Sequence, residues 1–314
     1  MTIESMKRQP VLMLEMAALV FVGFLWGVQF GFNKILLETI PPFTGVALRL
    51  VIAVAFLWAV VAIRRDPIPR GPRVWRDFSI QAILTAAGPG LMVVWSQQYI
   101  DSALAAILNS TTPIFAALIT IFVTRHETVG VRKIIGIVVG LGGVVAVVGV
   151  DALQGLDRGL IGQIVVLISA LGYGIAAIFG RRFAGLSPVA AAAGTSTCAA
   201  LFMTLCAFTI ESPLSLEPSA RSLAAAVATA ILCNSVAVIL YYRLIRTLGP
   251  MSASSLGYLK AAFGVVIGCL VLGEPFTMAI AIGLLAVAVG VAAIADQSKS
   301  PHKVPAAAKV ESPA

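Results

Sequence analysis

The chain is poor in charged residues, since Asp, Glu, Lys and Arg make up 11% of its 314 residues while hydrophobic residues make up 59%. So little polar surface cannot cover a water-soluble globule of this size. The mean hydropathy is +0.99, and the apolar stretches of about 20 residues fit a hydrocarbon core of roughly 30 Å. The alternating pattern of barrel strands is missing. The sequence therefore predicts an all-α integral membrane protein.

Several chemical signatures are also missing. The four cysteines lie in apolar stretches without paired or ligand-like spacing, which indicates small buried residues rather than disulfides or a metal site. The chain has no GxxxxGK[ST] phosphate loop, no HExxH motif and no pair of in-membrane carboxylates. His126 and His302 fall in a loop and in the tail. These absences predict a protein that is not an enzyme and has no metal and no cofactor.

Basic residues are present, but they are concentrated in alternate loops. Of the 22 Lys and Arg residues, 17 fall before the first apolar stretch, in every second loop or in the tail: Lys7, Arg8, Arg64, Arg65, Arg70, Arg73, Arg76, Arg125, Arg132, Lys133, Arg181, Arg182, Arg243, Arg246, Lys299, Lys303 and Lys309. The positive-inside rule then predicts an even number of spans with both termini in the cytoplasm. These side chains are expected to face anionic lipid headgroups rather than nucleic acid.

A set of residues recurs about 147 positions later along the chain. Trp26-Gly27, Pro41, Glu127, Gly136 and Gly143 are followed by Tyr173-Gly174, Pro188, Glu274, Gly283 and Gly290. Each copy can hold five spans, and an odd number places the second copy upside down in the bilayer. We therefore expect ten transmembrane helices in two inverted five-helix repeats, at 12–150 and 151–296. Residues 1–11 form a cytoplasmic N-terminus and residues 297–314 a disordered cytoplasmic tail.

The predicted spans are bounded by prolines and basic loops. They cover 12–37, 43–63, 78–98, 102–124, 131–150, 159–180, 188–210, 222–242, 252–272 and 276–295. Pro41 and Pro42 end the first helix and set the turn to the second, and residues 64–77 form the longest cytoplasmic loop. Glycines in the fifth and tenth spans predict close helix packing or a homodimer contact.

These residues together resemble the drug/metabolite transporter superfamily of the EamA type, from about Leu19 to Ala295. The motifs are Leu25-Trp26-Gly27 with Phe30, Leu48-Arg49-Leu50, residues 103–108 leading to Pro113, Glu127 before Ile135-Gly136 and Gly143, and residues 272–275 before Ile282-Gly283 and Gly290. The resemblance implies a central cavity that opens alternately to each side. It also implies transport of small metabolites such as amino acids, without nucleotide hydrolysis, in the bacterial inner (plasma) membrane.

Lys260 departs from the family pattern. Pro113 lies fourteen residues before Glu127, and the position fourteen residues before Glu274 is Lys260, where the family usually has another proline. An ammonium near the bilayer centre costs roughly 2.5–3.5 kcal/mol, so it needs a partner or a wet cavity. Lys260 is thus the leading candidate to bind a substrate carboxylate, although backbone carbonyls or snorkelling could also satisfy it.

Other polar or aromatic residues of the spans could line the same cavity. The substrate-binding candidates are Asn109, Thr112, Trp26, Trp95, Gln29, Tyr258 and Asn234. Arg49 and Lys34 are gating or anchoring candidates: Arg49 is shallow enough to snorkel, and Lys34 is spaced to pair with Glu38. Glu127 and Glu274 are expected to fix helix connections.

The predicted function is a secondary transporter of small metabolites, acting as an exporter by alternating access at a midplane site between the repeats. An exporter of cationic or amphipathic drugs is an alternative, although a central lysine with no in-membrane carboxylate opposes a cationic ligand. A non-transporting membrane scaffold is a second alternative. The expected partners are a small-molecule substrate, a bilayer with anionic headgroups and, through the glycine-rich spans, a second copy of the chain.

Overall fold

A computed structural model of the chain describes residues 3–124, 131–152, 157–183, 185–248 and 256–296. Within these ranges every regular element is a helix. The helices are α1 Ile3–Leu36, α2 Pro42–Arg64, α3 Pro72–Ala82 continuing to Leu91–Ser96, α4 Ser102–Asn109 continuing to Thr112–Ile119, α5 Val131–Ala152, α6 Arg158–Phe179, α7 Pro188–Ile210, α8 Ala220–Ala228 continuing to Ala237–Leu248, α9 Leu256–Val271 and α10 Met278–Asp296.

Seven helical stretches of the described residues are long and apolar enough to cross a bilayer. They are Met13–Leu36, Pro42–Arg64, Pro72–Ser96, Ser102–Phe122, Arg158–Phe183, Pro188–Ile210 and Ala220–Tyr241. Three shorter apolar helices, Ile134–Val145, Leu259–Val271 and Met278–Gly290, belong to α5, α9 and α10. The chain is therefore an all-helical, multi-pass membrane protein, as its composition predicts.

Most helix boundaries agree with those expected from the sequence. As predicted, α1 ends before the Pro41-Pro42 pair, and α2 begins at Pro42. Three boundaries differ by five residues or more: α1 begins at Ile3, inside the predicted cytoplasmic N-terminus, α3 begins at Pro72, inside the predicted loop, and α8 continues to Leu248. Proline suits a first helical turn because its missing N–H is not needed there. Glu127 and the 297–314 tail lie outside the described residues.

Two helices contain π-helical turns at equivalent positions. Residues Ile83–Gly90 interrupt α3, and Thr229–Val236 interrupt α8, 146 positions further along the chain. Pro89 has no N–H to donate, which disturbs the ladder in α3, and its carbonyl accepts a hydrogen bond from Ser169 Oγ at 2.8 Å. In α8, Ser235 Oγ donates to Ala230 O at 2.8 Å.

The most extensive helix contacts follow the numbering of the two copies. Helix α2 packs on α7, α5 packs on α10 and the first half of α4 packs on α9, so three helices contact their own equivalents. The first helix of each copy packs on the fourth helix of the other copy. Helix α1 packs on α9, and α6 packs on the second half of α4. The α3 and α8 helices lie against α6 and α1 in the same exchanged manner.

Glycines allow the closest of these contacts. In α1, a Cβ at Gly27 would lie 2.9 Å from Gly264 N and 3.0 Å from Lys260 O. In α10, a Cβ at Gly290 would lie 2.7 Å from Gly136 O in α5. Such distances are shorter than van der Waals contact, so only glycine permits this approach, as is usual between helices in lipid. The glycines of α5 and α10 therefore pack within one chain.

Two half-buried glutamates hold helix N-termini of the other copy. Glu211 accepts hydrogen bonds from the backbone N–H groups of Phe43 and Thr44, at 3.1 and 2.7 Å, at the start of α2. Glu274 accepts them from Ser102 and Ala103, at 2.7 and 2.9 Å, at the start of α4. A carboxylate at this position satisfies free N–H groups and complements the helix dipole. Glu274 thus has a structural role, and its contact joins two helices distant in sequence.

Candidate functional site

The centre of the site is a break in α4. Its helix stops at Asn109, turns at Ser110 and Thr111, and resumes at Thr112 with Pro113 in the first turn. The hydroxyl groups of the break are turned back to the backbone: Thr111 Oγ1 donates to Leu108 O at 2.6 Å and Thr112 Oγ1 to Asn109 O at 2.7 Å. The bond from Thr112 satisfies the Asn109 carbonyl, which Pro113 leaves without a donor. The break leaves the Asn109 side chain free to point away from its own helix.

Lys260 meets Asn109 across the interface between α9 and α4. Lys260 Nζ donates to Asn109 Oδ1 at 2.7 Å. Asn109 is 4% exposed, and its Nδ2 has no hydrogen-bond partner among the described residues. No carboxylate of the described part of the chain lies within ion-pair distance of Lys260. The pair thus presents an uncompensated ammonium and an amide N–H, which are two donors suited to one carboxylate.

Arg49 belongs to a second polar cluster, in which its side chain is held by α1 and α3. Arg49 Nη1 donates to Asn33 Oδ1 at 2.9 Å, and Asn33 Nδ2 donates to Gln97 Oε1 at 2.9 Å. Gln97 Nε2 in turn donates to Phe30 O at 2.8 Å. Arg49 is 4% exposed. The expectation that Arg49 snorkels to the interface is therefore wrong, because the cluster keeps its guanidinium inside the protein.

The aromatic candidates are placed in two different environments. Trp26 Nε1 donates to Cys233 O at 3.2 Å, and its ring lies 5.1 Å from that of Tyr241. Trp95 packs on Tyr99 with ring centroids 4.9 Å apart, near the end of α3. Trp26 thus joins α1 to the π-helical part of α8, one residue before the Gly27 contact with Lys260.

The remaining candidates have weaker structural support. Gln29 and Asn234 are half-buried and make no hydrogen bond to the described residues, and the side chain of Tyr258 lies outside the described part. Lys34 is half-buried, and the predicted pair with Glu38 is not formed: Glu38 contacts Arg221 at 3.4 Å instead. Of the predicted site residues, the structure brings Lys260 and Asn109 into direct contact, and the other candidates surround this pair or lie apart from it.

Asp101 lies between α3 and α4, where the chain turns outside the helical spans. Burial, reinforced by the nearby Glu274 carboxylate, raises the pKa of Asp101 above its usual value, and Lys34 acts in the opposite direction. Its side chain makes no cap hydrogen bond at the start of α4, because Glu274 occupies those N–H groups. Lys34 is thus electrostatically part of this turn.

An ion pair between a buried Glu15 and an exposed Arg243 joins the first half of α1 to the last turns of α8. Arg243 Nη2 and Nε donate to Glu15 Oε1 at 2.7 and 3.1 Å, and Thr247 Oγ1 donates to Glu15 Oε2 at 3.1 Å. Glu15 is 3% exposed. The sequence predicts no in-membrane carboxylate, and Glu15 corrects that prediction. It is paired with Arg243, so it does not neutralise Lys260.

An apolar cavity of about 600 Å³ lies elsewhere, between α2 and α7. Its lining includes Val54, Ala200, Leu205 and Phe208, together with Thr197. This wall carries no charged group, and it is separate from Lys260 and Arg49. The cavity therefore has the character of a lipid-facing groove rather than of a site for a polar metabolite.

The fold and these buried polar clusters define a polytopic helical membrane protein, and comparison with known sequences gives its family. The sequence profile of the EamA-like transporter family matches residues 13–149 and again residues 160–295. The chain therefore belongs to the EamA-like transporter family, and its two copies each correspond to one family unit.

Its relatives include two bacterial proteins of similar length. The uncharacterized transporter YoaV of Bacillus subtilis is 24% identical over 277 residues, which cover 88% of this chain and 94% of YoaV. The uncharacterized inner membrane transporter YedA of Escherichia coli K12 is 25% identical over 276 residues, covering 87% and 88%. A protein of known crystal structure aligns with 91% of this chain and 99% of its own, with a TM-score of 0.67 and 18% identity, and so shares the fold.

Proposed function

We propose that this chain is a secondary transporter that exports small carboxylated metabolites, such as amino acids, across the bacterial plasma membrane. Its substrate carboxylate would bind between Lys260 Nζ and Asn109 Nδ2. The observation that carries this proposal is the contact of 2.7 Å between Lys260 and Asn109 at a helix break, with an amide donor left over. A cation without a counter-ion is costly inside a membrane, and a substrate carboxylate would relieve that cost.

The proposed architecture has ten transmembrane helices in two inverted repeats, with both termini in the cytoplasm. It is supported by the exchanged contacts, in which α1 meets α9 and α6 meets α4, and by the matching π-helical turns of α3 and α8. Rocking of one repeat against the other would move the Lys260 site between the two sides of the membrane. A homodimer would need another surface than the α5 and α10 glycines, which contact each other.

The other candidate residues would shape the pocket around the carboxylate site. Trp26 would form a wall next to the Gly27 contact with Lys260, and Thr112 would hold the α4 break. Trp95, Gln29, Asn234 and Tyr258 would contact the remainder of the substrate. Lys34 would act at the outer turn, through Asp101.

A metabolite survey would test this function. The medium of cells that overproduce the chain is compared with that of cells producing Lys260→Ala or Arg221→Gln in equal amount. Arg221 is a matched loss of positive charge, because it lies at an exposed ion pair with Glu38. We expect carboxylated metabolites to accumulate with the wild type and Arg221→Gln but not with Lys260→Ala. Equal accumulation with Lys260→Ala would remove this lysine from the function, and accumulation of cations alone would favour a drug exporter.

The scaffold alternative is tested in reconstituted vesicles. A scaffold would use its buried polar residues for internal contacts only, and its vesicles would move no amino acid, nucleobase or cationic drug under any imposed gradient. Saturable movement of a carboxylated compound would contradict it.

A further inference from the structure

Arg49 remains unexplained by a site that consists of Lys260 and Asn109. Its guanidinium has five N–H donors, and the only described acceptor is the amide oxygen of Asn33, at 2.9 Å. Arg49 Nε is buried without a hydrogen-bond partner among the described residues. No carboxylate of the described ranges lies within 4.0 Å of it.

The cluster around Arg49 is built to orient the guanidinium. Asn33 is 2% exposed and Gln97 is 1% exposed, and each uses its donor group to fix the next member. Gln97 donates to Phe30 O, so its own oxygen is directed at Asn33 Nδ2, and the Asn33 oxygen is left for Arg49. Residues of α1 and of the end of α3 thus hold one face of Arg49. This leaves its remaining donors for another acceptor.

Tyr173 lies beside the free side of Arg49. The position of a Cβ at Gly90 would be 3.4 Å from Tyr173 Oη and 3.7 Å from Arg49 Nη2. Both polar groups therefore face the same small space, which Gly90 keeps open by having no side chain. A planar guanidinium next to a hydroxyl group is well suited to bind a carboxylate.

The two cationic groups share neighbouring helices. On α1, Asn33 contacts Arg49, while Gly27 lies against Lys260 O. On α6, Tyr173 adjoins the Arg49 cluster, while the next residue, Gly174, packs against Ala116 in α4, the helix that carries Asn109. Helices α1 and α6 each border both groups, so the same two helices connect Arg49 to the pair of Lys260 and Asn109.

We infer that the substrate carries two anionic groups, one bound by Lys260 and Asn109 and the other by Arg49 and Tyr173, as in a small dicarboxylate. This inference rests on the proposed transport function and narrows its substrate class. Two uncompensated cations in the described interior favour a dianion, since a monoanion would leave one of them without a partner. A monocarboxylate of the same length would satisfy only one of the two sites.

The test compares matched ligands on the purified full-length chain. Ligand-induced thermal stabilisation is titrated with malonate, succinate and glutarate, and with propionate, butyrate and valerate, which have the same carbon numbers but one carboxylate fewer. Ligands that bind the folded state raise the unfolding temperature. We expect at least one dicarboxylate to half-saturate at a concentration about tenfold or more below that of its matched monocarboxylate.

Variants separate the two sites. Arg49→Gln should raise the half-saturating concentration of the preferred dicarboxylate about tenfold or more while leaving that of the monocarboxylate unchanged, and Lys260→Gln should weaken both. Asn33→Asp keeps Arg49 and adds an internal carboxylate 2.9 Å from its Nη1, so it should cause the same selective loss even if Arg49→Gln does not fold. Arg221→Gln should bind like the wild type.

The outcomes distinguish this inference from the function on which it rests. If no dicarboxylate is preferred, or if Asn33→Asp retains the preference, the dianion is overturned while a Lys260-dependent monocarboxylate site stands. If neither ligand class stabilises the chain and Lys260→Gln has no effect, the proposed function fails as well.

Discussion

The substitution Asn109→Asp separates a substrate-binding role of the Lys260 pair from a structural one. It replaces the amide of Asn109 with a carboxylate of nearly the same shape. The amide oxygen Oδ1 accepts the hydrogen bond from Lys260 Nζ at 2.7 Å. If the pair only holds α4 against α9, an internal ion pair should preserve the protein and its activity. If the pair binds a substrate carboxylate, the new carboxylate of residue 109 pairs with Lys260 permanently and competes with the substrate.

The magnitude follows from the geometry. At 2.7 Å and an effective dielectric constant of about 20, the attraction between the two charges is about 6 kcal/mol. Desolvation of the new carboxylate offsets several kcal/mol of this, so the fold should be kept. The substrate loses a charge-assisted hydrogen bond and the Nδ2 donor, together at least about 2 kcal/mol, or roughly 30-fold in affinity.

The assay measures both properties on one preparation. Thermal unfolding in detergent should be within a few degrees of the wild type, and the half-saturating concentration of the carboxylated substrate in vesicles should rise roughly 30-fold or more. Unchanged saturation together with unchanged unfolding would refute the argument, because it would mean that the charge of Lys260 is not used for the substrate.

Three further predictions concern packing, an ion pair and a pH response. Gly143→Ala should lower the free energy of unfolding by about 1–3 kcal/mol, because the new Cβ would collide with Ala286 of α10. Gly142→Ala is the control: no atom of the described residues lies within 4 Å of its Cβ position, so it should be neutral or stabilising in chemical denaturation. Glu15→Gln should lower the unfolding free energy by about 1.5–3 kcal/mol through its bonds to Arg243, and an equal stability of the two proteins would contradict this. Asp101→Asn should increase the free energy of unfolding at pH 7. The pKa of Asp101 is raised in the native state, so its ionised form opposes folding at a pH above that pKa. The increase should disappear when unfolding is measured at pH values approaching 4, where the carboxyl group becomes protonated.

The helical architecture follows closely from the sequence because its causes are local. Apolar length, the prolines at positions 41, 72 and 188 and the one-sided basic loops each act within a short stretch, and the observed helices begin and end near them. The predicted and observed helix boundaries differ where one residue type is compatible with two structures. The prolines and arginines around Pro72 predict a loop, although proline also fits the first turn of a helix.

The candidate site was only partly accessible from the sequence. Lys260 was identifiable because a charge in an apolar stretch is rare, and Asn109 because an amide precedes the proline of α4. The Arg49 cluster was missed, since Asn33, Arg49 and Gln97 come from three helices, and no spacing along the chain shows that they meet. Depth along the helix suggested snorkelling for Arg49, but the orientation of α2 directs it inward.

The ion pair of Glu15 and Arg243 was missed for a similar reason. The two residues are 228 positions apart, and each looks by itself like a charge near a helix end. The distribution of basic residues along the sequence predicts that Arg243 lies in a cytoplasmic loop. Only the packing of α1 against α8 shows that it neutralises a buried carboxylate.

Counterflow in reconstituted vesicles is the most direct measurement of anion recognition by Lys260. Vesicles containing the wild type or Lys260→Gln are loaded with a carboxylated metabolite, and exchange is followed with its labelled form and with the corresponding decarboxylated amine. We expect saturable exchange of the carboxylate, no exchange of the amine, and loss of exchange in Lys260→Gln. Equal exchange of the amine, or full activity without the lysine, would contradict it.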